Sequence, residues 1–197
     1  IKAVLGLHVS PKYPVGKVAV RSGKFMASSD EFFATIRGKG GHGAQPHLNI
    51  DPVVLGSQLV MSLQQIVSRA ANPTIPSVLS FGKFIANGAT NVIPDTVYLE
   101  GTFRTMDEDW RKCAVYSIEK QIQELPALYG ATVELLTKHG YPLLINDEAT
   151  TKIVRDALVN YVGDDNVHEA HLWMAAEDFA YYTHVYPSTF YLVGIAN

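Results

Sequence analysis

The run Gly38-Lys39-Gly40-Gly41-His42-Gly43-Ala44-Gln45-Pro46-His47 presents an imidazole, His42, from a loop so rich in glycine that its backbone can approach a ligand closely. An imidazole so placed can donate a hydrogen bond to the carbonyl oxygen that gains charge as an amide is cleaved. It can equally cap a carbonyl of its own loop. Asn91, in Gly88-Ala89-Thr90-Asn91-Val92-Ile93-Pro94-Asp95, stands where a loop meets a strand, and its amide can reach a ligand or fix the turn. Arg104 ends the polar face of a strand and carries the planar fork that grips a carboxylate through two parallel bonds. The alternative is an ion pair with Glu100, four residues earlier on the same face. His8 follows an apolar strand at its expected C-terminal end, where open α/β sheets place ligands, and neutral imidazole is a common metal ligand. A hydrogen-bonded core histidine is the other reading. Glu177-Asp178 is an acidic pair inside the apolar and aromatic stretch Trp173 to Tyr182, so it borders a site or caps a helix. His139, His168, His171 and His184 show no ligand spacing and are expected to be structural or exposed.

Regular elements must hold these groups. Phe32, Ala34 and Ile36 alternate with Phe33, Thr35 and Arg37, which predicts a strand from about Asp30 to Gly38. Asp51-Pro52 supplies an N-cap and a first-position proline, and Leu55, Leu59, Leu63, Ile66 and Val67 recur at helical spacing toward Asn72-Pro73. Ser77 to Ala86 reads as a strand, Asn87-Gly88 as a turn, and Val97 to Arg104 as a strand with one polar face. Asp107, Glu108 and Asp109 suit the N-terminus of a helix whose apolar stripe is Trp110, Cys113, Ala114, Ile118, Ile122 and Leu125. Gly130 then precedes a strand from Ala131 to Thr137. The order β-α-β-β-α-β predicts a ferredoxin-like domain over residues 28–140. Asn146-Asp147 can cap a further helix ending at Gly163. Residues 1–27 and 141–197 therefore flank an inserted domain, and are expected to form one incomplete α/β domain. Ile1 to Val9 reads as a buried strand in progress and Ser188 to Ile195 as another, so both termini look cut.

Composition limits the function classes. The 197 residues are 47% apolar and 18% charged, enough for a substantial core. A net charge of -3 with no basic cluster argues against nucleic acid. Cys113 is the only cysteine, which excludes a disulfide framework or thiolate zinc cluster and fits a buried thiol in a reducing compartment. The apolar runs fall short of a membrane span, so a soluble, cytoplasmic protein is expected.

Together, Gly6-Leu7-His8-Val9, Gly40-Gly41-His42-Gly43-Ala44 with Pro46-His47, Asn91 to Asp95, Gly101-Thr102-Phe103-Arg104-Thr105 and Ala176-Glu177-Asp178-Phe179 resemble the aminoacylase and carboxypeptidase family of metallopeptidases. Within it they are most similar to the hippurate hydrolase and N-acyl-amino-acid amidohydrolase branch. The motifs run in the family order over essentially the whole chain. The resemblance implies an α/β metallohydrolase domain holding two divalent metal ions (zinc, manganese, nickel or cobalt), with the inserted 28–140 domain as a lid that also forms a homodimer. It implies that His8 ligates metal, that His42 reaches across the dimer to polarise the scissile carbonyl, and that Asn91 and Arg104 hold the substrate carboxylate. His47 matches the motif and is expected to shape the loop.

The implied reaction is attack of a metal-activated hydroxide on the amide of an N-acyl amino acid, with a glutamate moving the proton. The departures are as informative. The family's Cys-Gly-His-Asp type motif and Glu-Glu pair, which includes the general base, are expected upstream of residue 1, and its final histidine beyond Asn197. Ala175 stands where related sequences often carry glycine. With His8 as its one remaining ligand, the polypeptide is expected to hold no metal tightly and to be inactive alone. The competing expectations are a non-catalytic ferredoxin-like module for dimerisation or small-ligand binding, and a small-molecule sensor. Acetyl, benzoyl and indole-acetyl conjugates are all open as substrates.

Overall fold

The computed structural model describes residues 1–197. In chain order, β1 (Val4–Pro14), β2 (Val18–Val20) and β3 (Gly23–Met26) open the chain. They are followed by β4 (Ser28–Arg37), β5 (Gly41–His42), α1 (Pro52–Gln65), β6 (Ser77–Ile85), β7 (Val92–Ile93), β8 (Thr96–Thr105), α2 (Glu108–Ala127) and β9 (Thr132–His139). The last group is β10 (Leu144–Asn146), α3 (Glu148–Val162), β11 (Val167–Glu169), α4 (Ala180–Thr183) and β12 (Ser188–Ala196). The chain divides into two compact units, Ser29–Gly140 and the combination of Ile1–Ser28 with Tyr141–Asn197.

The unit Ser29–Gly140 is built on a four-stranded sheet in the order β6-β8-β4-β9, with β6 on β8 and β4 on β9 antiparallel. Alternation decides its faces. Phe32, Ala34 and Ile36 of β4 and Val97, Leu99 and Phe103 of β8 are buried against Leu55, Leu59 and Leu63 of α1 and Ala114, Ile118 and Ile122 of α2. The intervening β8 residues Tyr98, Glu100, Thr102 and Arg104 lie half-buried on the opposite face. Both helices start where the capping residues predict: the Asp51 carboxylate accepts from Val53 N and Val54 N, and that of Asp107 from Trp110 N. The first helix then widens into a π-turn, Ile66–Ala70. Cys113 departs from expectation. It is exposed, and the buried stripe of α2 runs through Ala114, Val115, Ile118 and Ile122 instead. The stripe is centred on Ala114, Ile118 and Ile122 and widens toward Val115, which leaves Cys113 on the solvent side of the helix.

In the other unit, a sheet runs β1-β12-β2-β11, with β1 parallel to β12, β12 antiparallel to β2, and β11 parallel to β2. Its cores contain Phe25, Met26, Phe179, Phe190 and Leu192 on one side and Val18, Val20 and Val167 on the other. Asp147 caps α3 through Thr150 N, and Gly163, at φ 87°, ends it. The first strand is not buried throughout, as its apolar run predicts. Leu5, Leu7 and Val9 are 56%, 53% and 49% exposed, because their face of β1 is left open to solvent while Val4, Gly6 and Ser10 on the other face are partly or fully buried.

Candidate active site

His42 ends β5 and Asn91 stands just before β7, the two strands of a small ribbon in the Ser29–Gly140 unit. β5 pairs antiparallel with β7, placing His42 across from Val92, and Gly43 N donates to Asn91 O at 2.8 Å. The pairing depends on glycine. A Cβ on Gly40 would run into Ile93 O and lie 2.7 Å from Pro94 C, while one on Gly41 would strike Asn49 Oδ1. The loop is braced at its base by Asp95, whose Oδ1 accepts from Gly40 N at 2.8 Å. His42 itself is exposed. Its carbonyl accepts from Gln45 N at 2.9 Å and Asn49 Nδ2 at 3.3 Å, and its Nδ1 accepts from Ala44 N at 3.1 Å. Beside the β5–β7 ribbon lies a cleft of about 610 Å³ lined by Gly40, Gly41, Asn87, Ile93, Asp95 and Tyr98, among others.

Arg104 is half-buried on the helix-free face of the same sheet, opposite Val78 of β6. The ion pair with Glu100 that its spacing allows does not form. Glu100 is bound by Lys83 Nζ at 2.8 Å, and Lys83 and Tyr98 together hold its carboxyl below the usual glutamate range. His47 lies exposed in the short 3₁₀ turn Pro46–Leu48 that follows the loop.

His8 belongs to the other unit. Its expected position at the C-terminal end of a strand is not observed: β1 continues to Pro14, and His8 sits mid-strand across from Leu192. The reason is that Ser10–Pro14 keeps following β12 through a register shift, despite its polar and proline residues. The imidazole Nδ1 lies 3.3 Å from Glu177 Oε2, and its ring meets Trp173 edge-on at 6.5 Å between centroids. Lys12 Nζ rests over the same indole at 5.2 Å. Glu177 is largely buried, its side chain 18% exposed, and burial together with the adjacent Asp178 carboxyl pushes its pKa up, with His8 pulling the other way. The acidic pair does not cap α4, which starts after Phe179 without a side-chain cap.

His8 and Glu177 thus form an imidazole-carboxylate pair 169 residues apart in sequence (8 to 177). No local spacing announces it. The one signal was an acidic pair in an apolar stretch. No group of three His, Cys, Asp or Glu is arranged to hold a metal ion. With Nδ1 turned to the Glu177 carboxylate, the other ring nitrogen of His8 has the chemistry of a metal ligand.

The sequence pattern of Peptidase family M20/M25/M40 matches residues 1–197. The chain belongs to that family. Among curated members, it is 39% identical over 201 residues to the N-acetyl-L-cysteine deacetylase of Bacillus subtilis (strain 168), covering 98% of this chain and 46% of that protein. It is 40% identical over 146 residues to the N-acyl-L-amino acid amidohydrolase of Geobacillus stearothermophilus, covering 74% of this chain and 40% of that protein. The Bacillus subtilis YXEP protein, a dinuclear metal binding peptidase from the M20 family, superposes with a TM-score of 0.74 at 28% identity, covering 98% of this chain and 48% of that one. These M20 relatives fit the aminoacylase and hippurate hydrolase branch that the motifs resemble. The chain spans about half the length of the curated M20 relatives it matches. None of its helices is long and apolar enough to cross a membrane.

Proposed function

We propose that these residues are part of a metal-dependent amidohydrolase that cleaves the amide bond of N-acyl amino acids. The observation that carries the reading is the pairing of the His42 loop with the Asn91 segment. In a chain of this family, it presents an exposed imidazole from a glycine-rich loop whose backbone is tied to that of Asn91. In that reading the Ser29–Gly140 unit is the ferredoxin-like lid, and the remaining residues are part of the catalytic domain. His42 donates to the scissile carbonyl oxygen as it gains charge. Asn91 and Arg104, whose fork is not engaged by Glu100, hold the free carboxylate of the substrate. His8 offers one ring nitrogen to a divalent ion while Glu177, on the other, fixes the orientation of the ring. A divalent ion, when bound, polarises the carbonyl and lowers the pKa of water. Zinc, manganese, nickel and cobalt all suit imidazole and carboxylate donors, and the ligands besides His8 come from outside this chain.

The lid is also the proposed homodimer surface, with Val54 and Met61 exposed along α1. The single unpaired Cys113 supports a reducing, cytoplasmic setting. Because the donor set is incomplete, the 197-residue chain alone is expected not to turn over. That incompleteness also favours a second reading, a non-catalytic dimerisation or small-ligand module.

One experiment separates the two. The intact mass of the native polypeptide is measured, and hydrolysis of N-acetyl and N-benzoyl amino acids is assayed with added manganese or zinc. A mass well above 21.6 kDa with hydrolysis supports the enzyme. A native mass at that value, or a longer protein with no hydrolysis, supports the module.

A further inference from the structure

The loop carrying His42 contains a device that sets which nitrogen of its ring bears the proton. Ala44 N points its hydrogen at His42 Nδ1 over 3.1 Å. A nitrogen that accepts from an N–H must present its lone pair, so Nδ1 carries no proton and the neutral ring carries it on Nε2. This contact spans two residues within a tight turn, and it lasts only while the turn keeps its shape. Two donors converge on the His42 carbonyl to hold it: Gln45 N closes the turn at 2.9 Å, and Asn49 Nδ2 reaches back from the far side at 3.3 Å. Asn49 is itself anchored, its N donating to Pro46 O at 3.1 Å. Its carboxamide also fills the space beside Gly41, where the three atoms nearest to a Cβ would all belong to the Asn49 side chain.

We propose that Asn49 is a positioning residue which, by bracing the His42 carbonyl, keeps the Ala44 amide on Nδ1 and locks neutral His42 as the Nε2–H tautomer. Nε2 is then the ring nitrogen left to face a ligand, and it faces it as a donor. That is the form an imidazole needs to bond a carbonyl oxygen, whereas the other tautomer would turn a lone pair toward it. The usefulness of the device rests on the reading of His42 as donor to the scissile carbonyl. The tautomer itself exists without substrate.

The test is a long-range nitrogen–proton NMR spectrum of the histidine rings in the full 197-residue chain, at a pH where the rings are neutral, with exposed His47 as internal reference. Wild type is expected to show His42 Nδ1 unprotonated and Nε2 protonated. Asn49→Asp and Asn49→Ala are expected to lose that separation and move toward the averaged positions of His47. A paired set guards against a merely structural effect. Gly41→Ala should lower the thermal midpoint in wild type, where its methyl meets Asn49, and cost less in the Asn49→Ala background, where it does not. A wild-type ring protonated on Nδ1, or a His42 spectrum unchanged in Asn49→Ala, overturns the proposal. Neither readout uses substrate, so a failure to hydrolyse N-acyl amino acids would sink the functional reading and leave this result standing.

Discussion

Asp30 and Arg111 form a buried, two-pronged ion pair in the Ser29–Gly140 unit, with Arg111 Nε 2.7 Å from Asp30 Oδ2 and Nη2 2.9 Å from Oδ1. Asp30 is fully buried and the Arg111 side chain only 12% exposed. The same guanidinium reaches Ser29 O at 3.0 Å and Gly140 O at 3.4 Å, and Gly140 N donates to Ser29 O at 2.9 Å. One side chain therefore ties β4 and the end of β9 together. Burial alone would push the Arg111 pKa down, but the contacts with Asp30 and Glu108 outweigh it and raise the value.

Removing Arg111 leaves a buried carboxylate without its charge partner. Arg111→Met is expected to cost about 3–5 kcal/mol of unfolding free energy, the usual penalty for orphaning one member of a buried pair. Chemical denaturation measures it. The double variant Asp30→Asn/Arg111→Met should recover part of the loss, since neither charge then remains buried. A cost no larger than that of a surface pair would mean that Asp30 is reached by water or satisfied by His139, whose Nδ1 lies 3.0 Å away.

Gly6 is where β1 meets the segment bearing Glu177. A Cβ there would stand 2.6 Å from Phe179 Cδ2 and Cε2 and 2.9 Å from Phe190 Cδ2. Gly6→Ala is therefore an overpacking change, expected to cost about 1–3 kcal/mol. Because Phe179 is two residues from Glu177, its displacement should also disturb the His8–Glu177 contact, visible as a shift of the His8 ring resonances. Adding Phe179→Leu should restore part of the stability, and a Gly6→Ala protein as stable as wild type would refute the packing account.

Asp147 gives the protein an acid limb. Its carboxylate accepts from Thr150 Oγ1 at 2.7 Å and Thr150 N at 2.8 Å, and these bonds, the side-chain one first, hold its pKa below the ordinary value of 3.8. A depressed carboxylate contributes stability that is present above its unfolded pKa and lost as pH falls toward the folded one. Unfolding followed from pH 3.8 downward should thus show a loss that Asp147→Ala lacks, having given up the cap at every pH. Parallel curves for the two proteins would mean the cap is not felt.

The caps at Asp51, Asp107 and Asp147 were legible in sequence because a carboxylate and the amides it satisfies lie within three residues of each other. So was the alternation of β4 and β8, which one face of a sheet imposes at period two. Non-local pairings were not. Asn87-Gly88 reads as a turn leading straight to the next strand, yet Val92–Ile93 first pairs with Gly41–His42, some fifty residues earlier. Nothing in either segment alone specifies the other. The His8–Glu177 contact is of the same kind. Leu5, Leu7 and Val9 misled for a different reason, since an apolar strand looks the same in sequence whether or not the fold covers both its faces.

His42 offers the sharpest test of the proposed chemistry. Its ring is exposed and makes a single hydrogen bond to its own loop, so His42→Ala should leave the thermal midpoint of the native protein nearly unchanged. If the ring supplies a donor to the developing oxyanion, kcat should nevertheless fall by about 10²–10³. The expectation that it acts across a dimer has a separate consequence. Mixing His42→Ala subunits with His8→Ala subunits, each inactive alone, should create hybrid dimers in which one site has both an intact His8 and a partner's intact His42. Recovery of activity on mixing then requires action in trans. Two variants that stay inactive after subunit exchange has been verified would confine His42 to the site of its own chain, or remove it from the reaction.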